Sequence, residues 1–156
     1  MTRRCVPIGA LLVLAAFSLG GCLLNTPTNV TKRFIGSVKR LQWDKMEALV
    51  DWSSSERALK RSLKKGRKEL LTTVAEYISG YEIRRYGDGR AKSHFLFFDV
   101  AEAESLERTD DSARLKIRLK LSADVSKEFE MTTRKVGRTW RVVLTPNLLE
   151  REYMDY

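Results

Sequence analysis

The stretch "RLKIRLKL", residues 114–121, alternates between cationic and apolar side chains without interruption. A repeat of two residues is typical of a β-strand that has one face in the core and the other in water. The pattern therefore predicts a half-buried strand. Its inward face is expected to carry Leu115, Ile117, Leu119 and Leu121.

Less regular patterns on both sides of this stretch predict further strands. "EFEMT" (128–132) alternates in the same way, and "TWRVVL" (139–144) follows a turn that contains Gly137. On the N-terminal side, "SHFLFFDVAEAESLE" (93–107) predicts a long strand, and "YEIRRYGDGRA" (81–91) predicts a short strand with a turn. The C-terminal half is therefore expected to be an antiparallel meander of about five strands.

The N-terminal half carries the 3.6-residue repeat of helices. A first helix is predicted within "TKRFIGSVKRLQ" (31–42) and a second within "DKMEALV" (44–50), with Asp44 as its cap. A third is predicted to run unbroken from a capping box at Ser53 to Gly80. Helices followed by strands predict an α+β fold, with the helices packed on one face of a curved sheet.

Three-residue hairpin loops at Thr109–Asp111 and Ala123–Val125 predict a register for three neighbouring strands. In this register the cations of the outward face lie opposite glutamates, and apolar side chains stack on the inward face. The predicted pairs are Glu104–Lys116, Glu102–Arg118, Arg118–Glu130 and Lys120–Glu128. The sequence thus favours a solvated ion-pair face over a basic strand that binds phosphates.

The N-terminus has the parts of a secretory signal peptide. Arg3 and Arg4 supply positive charge, and the apolar run from Ile8 to Leu19 has 12 residues. A helix that crosses a membrane needs about 20 residues, so this run is too short to span one. A charged start, a short apolar centre and an exit of small residues predict a signal peptide over residues 1–21.

The exit "LGGC" (19–22) resembles the lipobox of bacterial lipoproteins. The resemblance implies cleavage after residue 21 and lipidation of Cys22 on its sulfur. In a Gram-negative cell it also implies that Leu23, which follows the modified cysteine, directs the protein to the outer membrane, where it would face the periplasm. An ordinary signal peptide with a stray cysteine, or a buried helix, is the alternative interpretation of this segment.

Residues 22–29 are then expected to form the lipidated N-terminus and a short polar linker. A single domain is expected over 30–145, and a tail with a short helix over 146–156. Cys5 lies in the part removed, so the mature chain would hold no free thiol or disulfide.

The expected partners follow from the anchor and from the charge. Acyl chains on Cys22 would hold the protein on a membrane. Removal of Arg3 and Arg4 changes the formal net charge from +9 to +7, which favours anionic lipid or an acidic envelope component as a partner. An envelope protein is the other candidate, and export argues against nucleic acid.

The order of elements carries a second resemblance. An amphipathic first helix, the segment "WDKMEALV" (43–50), a longer helix and a meander that ends in "GRTWRVV" (137–143) resemble the nuclear transport factor two-like superfamily. That superfamily has a cone-shaped α+β fold. It contains isomerases, dehydratases and non-catalytic binding domains, so the resemblance predicts a fold and not an activity.

One acidic residue is a candidate for catalytic chemistry. Strand parity places Asp99 on the inward face, where Phe95, Phe97, Tyr77 and Tyr81 could complete a pocket. Burial among aromatic rings would raise the pKa of this carboxyl and prepare a general base. The favoured alternative is a β-bulge near residue 99, which would turn Asp99 outward.

The remaining motifs point to no bound metal or cofactor. His94 is the single histidine of the chain, and no cysteine of the mature chain could share a metal ion with it. A lone histidine is more often a structural residue than a metal ligand or a base.

A run of cations in "RALKRSLKKGRK" (57–68) forms one half of the predicted third helix. This face is interpreted as either ordinary solvated surface or a site for an anionic surface. Its residues are Arg57, Lys60, Arg61, Lys64, Lys65, Arg67 and Lys68.

Three hypotheses for function follow. The first is a non-catalytic envelope lipoprotein that acts as a binding or assembly module. The second is a carrier of a small apolar ligand in a cone-shaped pocket. The third is a small isomerase or hydrolase that uses Asp99.

Overall fold

The computed structural model describes residues 25–64, 66–80 and 98–149. Within them, helices precede strands, and the strands form one antiparallel sheet in the order β1-β2-β3-β4. The predicted α+β fold with N-terminal helices is therefore confirmed. The elements are α1 (Pro27–Lys39), α2 (Trp43–Leu49), α3 (Trp52–Leu59), α4 (Arg67–Ser79), β1 (Asp99–Arg108), β2 (Ser112–Lys120), β3 (Ser126–Val136), β4 (Thr139–Val143) and a 3-10 helix (Pro146–Leu149).

Helix α1 lies across the inward face of the sheet and contacts all four of these strands as well as α2 and α4. Its apolar side chains recur at steps of three and four residues, so they form one stripe along the helix. This stripe meets the alternating apolar positions of β2 and β3 in the main core. The helix supplies Val30, Phe34, Ile35 and Val38, and the strands supply Leu115, Ile117, Leu119, Phe129 and Met131.

The start of α1 lies inside the segment predicted to be a linker. Thr26 caps the helix, because its side chain accepts a hydrogen bond from the Asn29 amide at 3.2 Å. Pro27 occupies the first turn, where its missing N–H leaves no hydrogen bond unmade. The prediction that residues 22–29 form a linker is therefore wrong from Thr26 onward.

The caps of α2 and α3 also differ from the prediction. Gln42, not Asp44, precedes α2 and makes no capping bond with its side chain. Asp51, not Ser53, caps α3 by accepting a hydrogen bond from the Ser54 amide at 3.2 Å.

The predicted unbroken helix from Ser53 to Gly80 is two helices. Lys60 adopts a left-handed conformation with φ of 52°, which ends α3. The Leu63 amide then donates to the Glu56 carboxylate at 2.8 Å, so the chain turns away from the helix axis. Gly66, with φ of 82°, is the N-cap residue that precedes α4, and Gly80 follows its last residue and ends the helix as predicted.

Two hydrogen bonds hold the start of helix α3 against the C-terminal end of the sheet, one between backbone groups and one to a side chain. The Asp51 amide donates to the Val142 carbonyl at 2.8 Å, and the Leu144 amide donates to the buried Ser55 hydroxyl at 2.9 Å. Leu148 of the 3-10 helix is fully buried. The core therefore extends past residue 145, the predicted end of the domain.

The register between β1 and β2 follows the prediction, with Glu104 opposite Lys116 and Glu102 opposite Arg118. The register between β2 and β3 differs from it by two residues, since Arg118 lies opposite Glu128. The cause is the loop 121–125, which has five residues, not three, and is closed by a bond of 2.9 Å between the Leu121 amide and the Val125 carbonyl. A shift of two residues keeps every side chain on its predicted face.

Strand β1 contains two irregularities in its pairing with β2. One lies between Val100 and Glu102, and the other lies between Ser105 and Glu107. The first brings Val100 opposite the inward-facing Leu119 and puts Asp99 opposite Lys120. The β-bulge near residue 99, the favoured alternative, is thus confirmed, and the inward placement of Asp99 is wrong.

The core packing predicts a large difference between two leucines on adjacent strands. Leu115 is fully buried, whereas Leu106 is 39% exposed at a bulge. We expect Leu115→Ala to lower the free energy of unfolding by about 2 to 5 kcal/mol, because it leaves a cavity in the core. We expect Leu106→Ala to change it by less than about 1 kcal/mol. Chemical denaturation followed by circular dichroism measures both, and equal losses would contradict this description of the core.

Candidate functional site

The outward face of the sheet carries a ladder of ion pairs centred on Arg118. Its guanidinium contacts the Glu128 carboxylate at 2.7 Å and the Glu102 carboxylate at 3.0 Å. The Lys116 ammonium reaches the other oxygen of Glu128 at 2.7 Å. Arg118 is therefore neutralised across the sheet, as predicted. Its partner on β3 is Glu128, however, and not the predicted Glu130.

Arg114 extends the ladder toward the other end of the strands. Its guanidinium contacts Glu107 at 2.7 Å and Glu130 at 3.6 Å. Since these cations are held by carboxylates, the alternating strand β2 offers little free positive charge to a phosphate group.

The ladder changes the ionisation of its central carboxylate. Hydrogen bonds from Lys116 and Arg118 hold the pKa of the Glu128 carboxyl below its ordinary value. The same contact with Glu128 raises the pKa of the Lys116 ammonium. Both shifts have the sign expected when opposite charges stabilise each other.

Asp99, the predicted pocket acid, lies on the surface. Its side chain is 82% exposed, and its carboxylate forms an ion pair with the Lys39 ammonium at 2.5 Å. The prediction of a desolvated general base at Asp99 is therefore wrong, because the bulge that follows it turns the side chain to solvent.

Tyr77, which belongs to the same predicted pocket, is half-buried and in contact with other side chains. Its ring packs edge-to-face on Phe129, with centroids 5.9 Å apart. The Lys127 ammonium lies 3.8 Å from the ring centroid and donates to the Tyr77 carbonyl. The other predicted members (Tyr81, Phe95 and Phe97) lie outside the described residues, as does His94.

Lys127 is a residue that the sequence reasoning missed. It occupies an inward position of β3 and is only 7% exposed, although it carries a charge. The signal was present in the alternation of the strand, because Lys127 has the same parity as Phe129 and Met131. The cation–π contact with Tyr77 offsets part of the cost of burying its ammonium.

The predicted basic helix face is not one face. Arg57 lies in α3; Lys60, Arg61 and Lys64 lie in the turn between helices; Arg67 and Lys68 lie in α4. Lys65 lies outside the described residues. The prediction of a continuous cationic face over residues 57–68 is therefore wrong, because the helix that would have aligned it is interrupted at Lys60.

One cation of this set has a structural role. The Arg67 guanidinium lies 4.6 Å from the Trp52 ring centroid and contacts the Glu47 carboxylate at 3.3 Å. It also donates to the Leu63 carbonyl at 3.1 Å. Arg67 thus ties the start of α4 to α2 and α3.

The positive charge is concentrated in the helical part of the chain. Residues 30–80 contain 12 lysines and arginines against 6 acids, whereas residues 98–149 contain 10 against 9. Since the sheet is close to neutral, any attraction for an anion comes mainly from the helices.

A surface groove between α1 and α2, which we call the basic groove, collects part of this charge. It has a volume of about 600 Å³. Four exposed cations line it, and none of its lining residues is acidic. The lining residues are Asn29, Lys32, Arg33, Gly36, Ser37, Arg40, Gln42, Lys45, Ala48 and Leu49.

The basic groove continues toward the N-terminal end of the described chain. An adjoining groove of about 370 Å³ shares Arg33, Ala48 and Leu49 with it and extends to Asn25 and Arg141. Arg141 donates from its guanidinium to the Ala48 carbonyl at 2.8 Å, which joins β4 to α2 along this path.

Asn25 is docked onto the sheet at the end of this path. Its side-chain oxygen accepts a hydrogen bond from the Trp140 amide at 3.0 Å, and its side-chain nitrogen donates to the Arg138 carbonyl. The chain is therefore held against the β3–β4 turn from Asn25 onward.

Comparison with protein families, curated proteins and solved structures finds no match to this chain. The two family resemblances of the sequence therefore stay predictions. Among the described helices, none combines the length and the apolar character that crossing a membrane requires. The described residues also contain no group of three or more side chains suited to hold a metal ion.

The ladder predicts how Glu128 titrates. Because its folded pKa lies below the ordinary value of 4.5, its contribution to stability is complete above that value and is lost as pH falls through the folded pKa. We expect NMR of the side-chain carboxyl to give a midpoint below 4.5. In Lys116→Gln/Arg118→Gln the midpoint should rise toward the ordinary value. An unchanged midpoint in that variant would show that the two cations do not control the carboxyl.

Proposed function

We propose that this protein is a non-catalytic lipoprotein of the bacterial envelope, anchored by acyl chains on Cys22, and that its domain is a binding or assembly module at the membrane surface. The observation that carries the proposal is the closeness of the lipobox-like "LGGC" (19–22) to a docked residue. Asn25 is already bonded to the sheet, three positions after Cys22.

This spacing determines how the domain would sit. Only Leu23 and Leu24 separate Cys22 from Asn25. Three extended residue steps reach at most about 11 Å. A lipid on Cys22 would therefore hold the β3–β4 turn and the start of α1 close to the headgroups. The greatest distance that they could move from the membrane is shorter than with the predicted eight-residue linker.

The acidic side chains support a non-catalytic module, because several of them have structural partners. Asp51 caps α3, and Glu47 pairs with Arg67. Asp99 pairs with Lys39 at the surface. The ladder also engages Glu102, Glu107, Glu128 and Glu130. At the centre of the ladder, Lys116 and Arg118 hold the pKa of the Glu128 carboxyl below its ordinary value, whereas a general base needs a carboxyl whose pKa is raised.

No described contact favours the other two hypotheses. The enzyme hypothesis depended on a buried Asp99, and this side chain is exposed. The carrier hypothesis depends on Tyr81, Phe95 and Phe97, which lie outside the described residues. A carrier of a small apolar ligand therefore stays a prediction.

Metabolic labelling tests the anchor. We expect the full chain, expressed in a Gram-negative host with an alkyne analogue of palmitate, to become labelled and to sediment with membranes. Cys22→Ser should abolish the label, because the sulfur that carries the acyl group is gone. Cys5→Ser is the matched control and should be labelled like the parent chain. Absence of label in the parent chain, or label retained in Cys22→Ser, would overturn the proposal.

Fractionation of the two membranes tests the sorting implied by Leu23. The lipobox resemblance implies that aspartate at this position retains a lipoprotein in the inner membrane. We therefore expect Leu23→Asp to move the protein from the outer to the inner membrane fraction of a Gram-negative host. Leu23→Ser, which adds polarity without charge, should stay in the outer membrane. The same distribution for the parent chain and Leu23→Asp would contradict the assignment to the outer membrane.

A further inference from the structure

We infer that the basic groove between α1 and α2 binds the phosphate groups of anionic phospholipids in the membrane that carries the anchor. The inference rests on the proposed function, because the lipid on Cys22 is what would bring the groove to the headgroups. It assigns a binding surface that differs from the cationic run predicted over residues 57–68.

The first support is the arrangement of the lining residues on α1. They lie at 29, 32, 33, 36, 37 and 40, so each is three or four residues from another member of the set and together they form one continuous face of the helix. The helix has 13 residues and is therefore about 20 Å long. Lys32 and Arg33 lie in its first half, Arg40 follows its last residue, and Lys45 faces them from α2.

The second support is the free charge of these four residues. Lys32, Arg33, Arg40 and Lys45 are exposed, and none forms an ion pair with a carboxylate of the described residues. Neighbouring cations differ in this respect, because Lys39 pairs with Asp99 and Arg67 pairs with Glu47. A phosphate group in the groove would therefore not have to displace a carboxylate.

The third support is the shape of the groove. A methyl group added at Gly36 would meet no atom within 4 Å, so the middle of the α1 face is open. Arginine guanidinium groups bind phosphate oxygens through paired N–H donors, and lysine ammonium groups bind them as point charges. Phosphates that arrive side by side, as in a layer of headgroups, could reach cations along the whole face.

The fourth support, which decides in favour of a membrane, is continuity with the anchor. The groove joins the path that leads through Arg33 to Asn25. Since Asn25 lies within about 11 Å of Cys22, a helix α1 that lies parallel to the bilayer would bring its cationic face onto the headgroups. Each basic residue at such a surface contributes about 1 kcal/mol, which corresponds to about fivefold in affinity.

Vesicle binding by the unlipidated mature chain tests the inference. The chain begins at residue 22 and carries Cys22→Ser. It retains the whole described core, whose members lie between Val30 and Leu148. Thermal unfolding followed by circular dichroism checks that each variant is folded. Co-sedimentation is measured with phosphatidylcholine vesicles that contain or lack phosphatidylglycerol.

Two charge-matched variants locate the binding surface. The groove variant carries Lys32→Gln, Arg33→Gln, Arg40→Gln and Lys45→Gln. The control variant carries Lys60→Gln, Arg61→Gln, Lys64→Gln and Lys68→Gln, which removes the same charge from the run predicted over 57–68. All eight residues are exposed, so both variants should fold.

We expect the parent chain to bind only the vesicles that contain phosphatidylglycerol. It should be released as NaCl is raised from about 0.1 M to about 1 M, which shortens the Debye length from about 10 Å to about 3 Å. The groove variant should lose affinity on the order of several hundredfold, from four residues at about fivefold each. The control variant should lose much less, because its cations lie outside the groove.

Three results would overturn the inference. One is equal binding by the parent chain and the groove variant, and another is an equal loss in both variants. The third is displacement of the parent chain by inorganic phosphate beyond the effect of NaCl at the same ionic strength, which would assign the groove to a free phosphate ligand. Palmitate labelling is independent of all three. An unlabelled chain with an active groove would reject the anchor, and a labelled chain with an inactive groove would reject this inference alone.

Discussion

The packing of α1 against the sheet is the constraint on which the other features depend. Phe34 and Ile35 are buried beneath the helix, and α1 contacts all four described strands. Rotation of α1 about its axis would expose these side chains and bury Lys32 or Arg33 without a partner. Exposing apolar surface and burying an unpaired charge both raise the free energy of the folded state. The burial of the apolar stripe therefore also determines which face of α1 lines the basic groove. The same helix therefore supplies apolar side chains to the core and cations to the basic groove.

The buried faces of the strands could be predicted well, because alternation with a period of two residues assigns each side chain to a face without knowledge of the strand pairing. Leu115 and Ile117 were assigned to the core from alternation alone, and both are fully buried. An error of two residues in the pairing of β2 with β3 left every side chain on its predicted face, since the pleat repeats at the same interval. The pairing itself depends on loop length, and the five-residue loop 121–125 carries no glycine or proline to indicate it.

The helices and the candidate site were less predictable, because tertiary contacts decide them. The 3.6-residue repeat continues across Lys60, but the Glu56 carboxylate takes the Leu63 amide and the helix ends. The orientation of the Asp99 side chain depends on a bulge. The residues before it are apolar on both faces of the strand, so alternation alone does not locate this bulge. The basic groove requires α1 and α2 to lie side by side, and no pattern within either helix specifies this. The separation of Lys32 and Arg33 from the apolar stripe was visible in the sequence, but the helix that faces them was not.

The neutral ladder on one side and the cationic helices on the other make the molecule electrically polar. Residues 30–80 carry an excess of 6 positive charges, whereas residues 98–149 carry an excess of 1. Such a separation is a permanent dipole, and a negative surface exerts a torque on it. This torque turns the helical layer toward the negative surface before contact. The torque acts over roughly a Debye length, about 8 Å at physiological ionic strength. By cancelling charge on the sheet, the ladder therefore influences the orientation in which the protein approaches a negative surface.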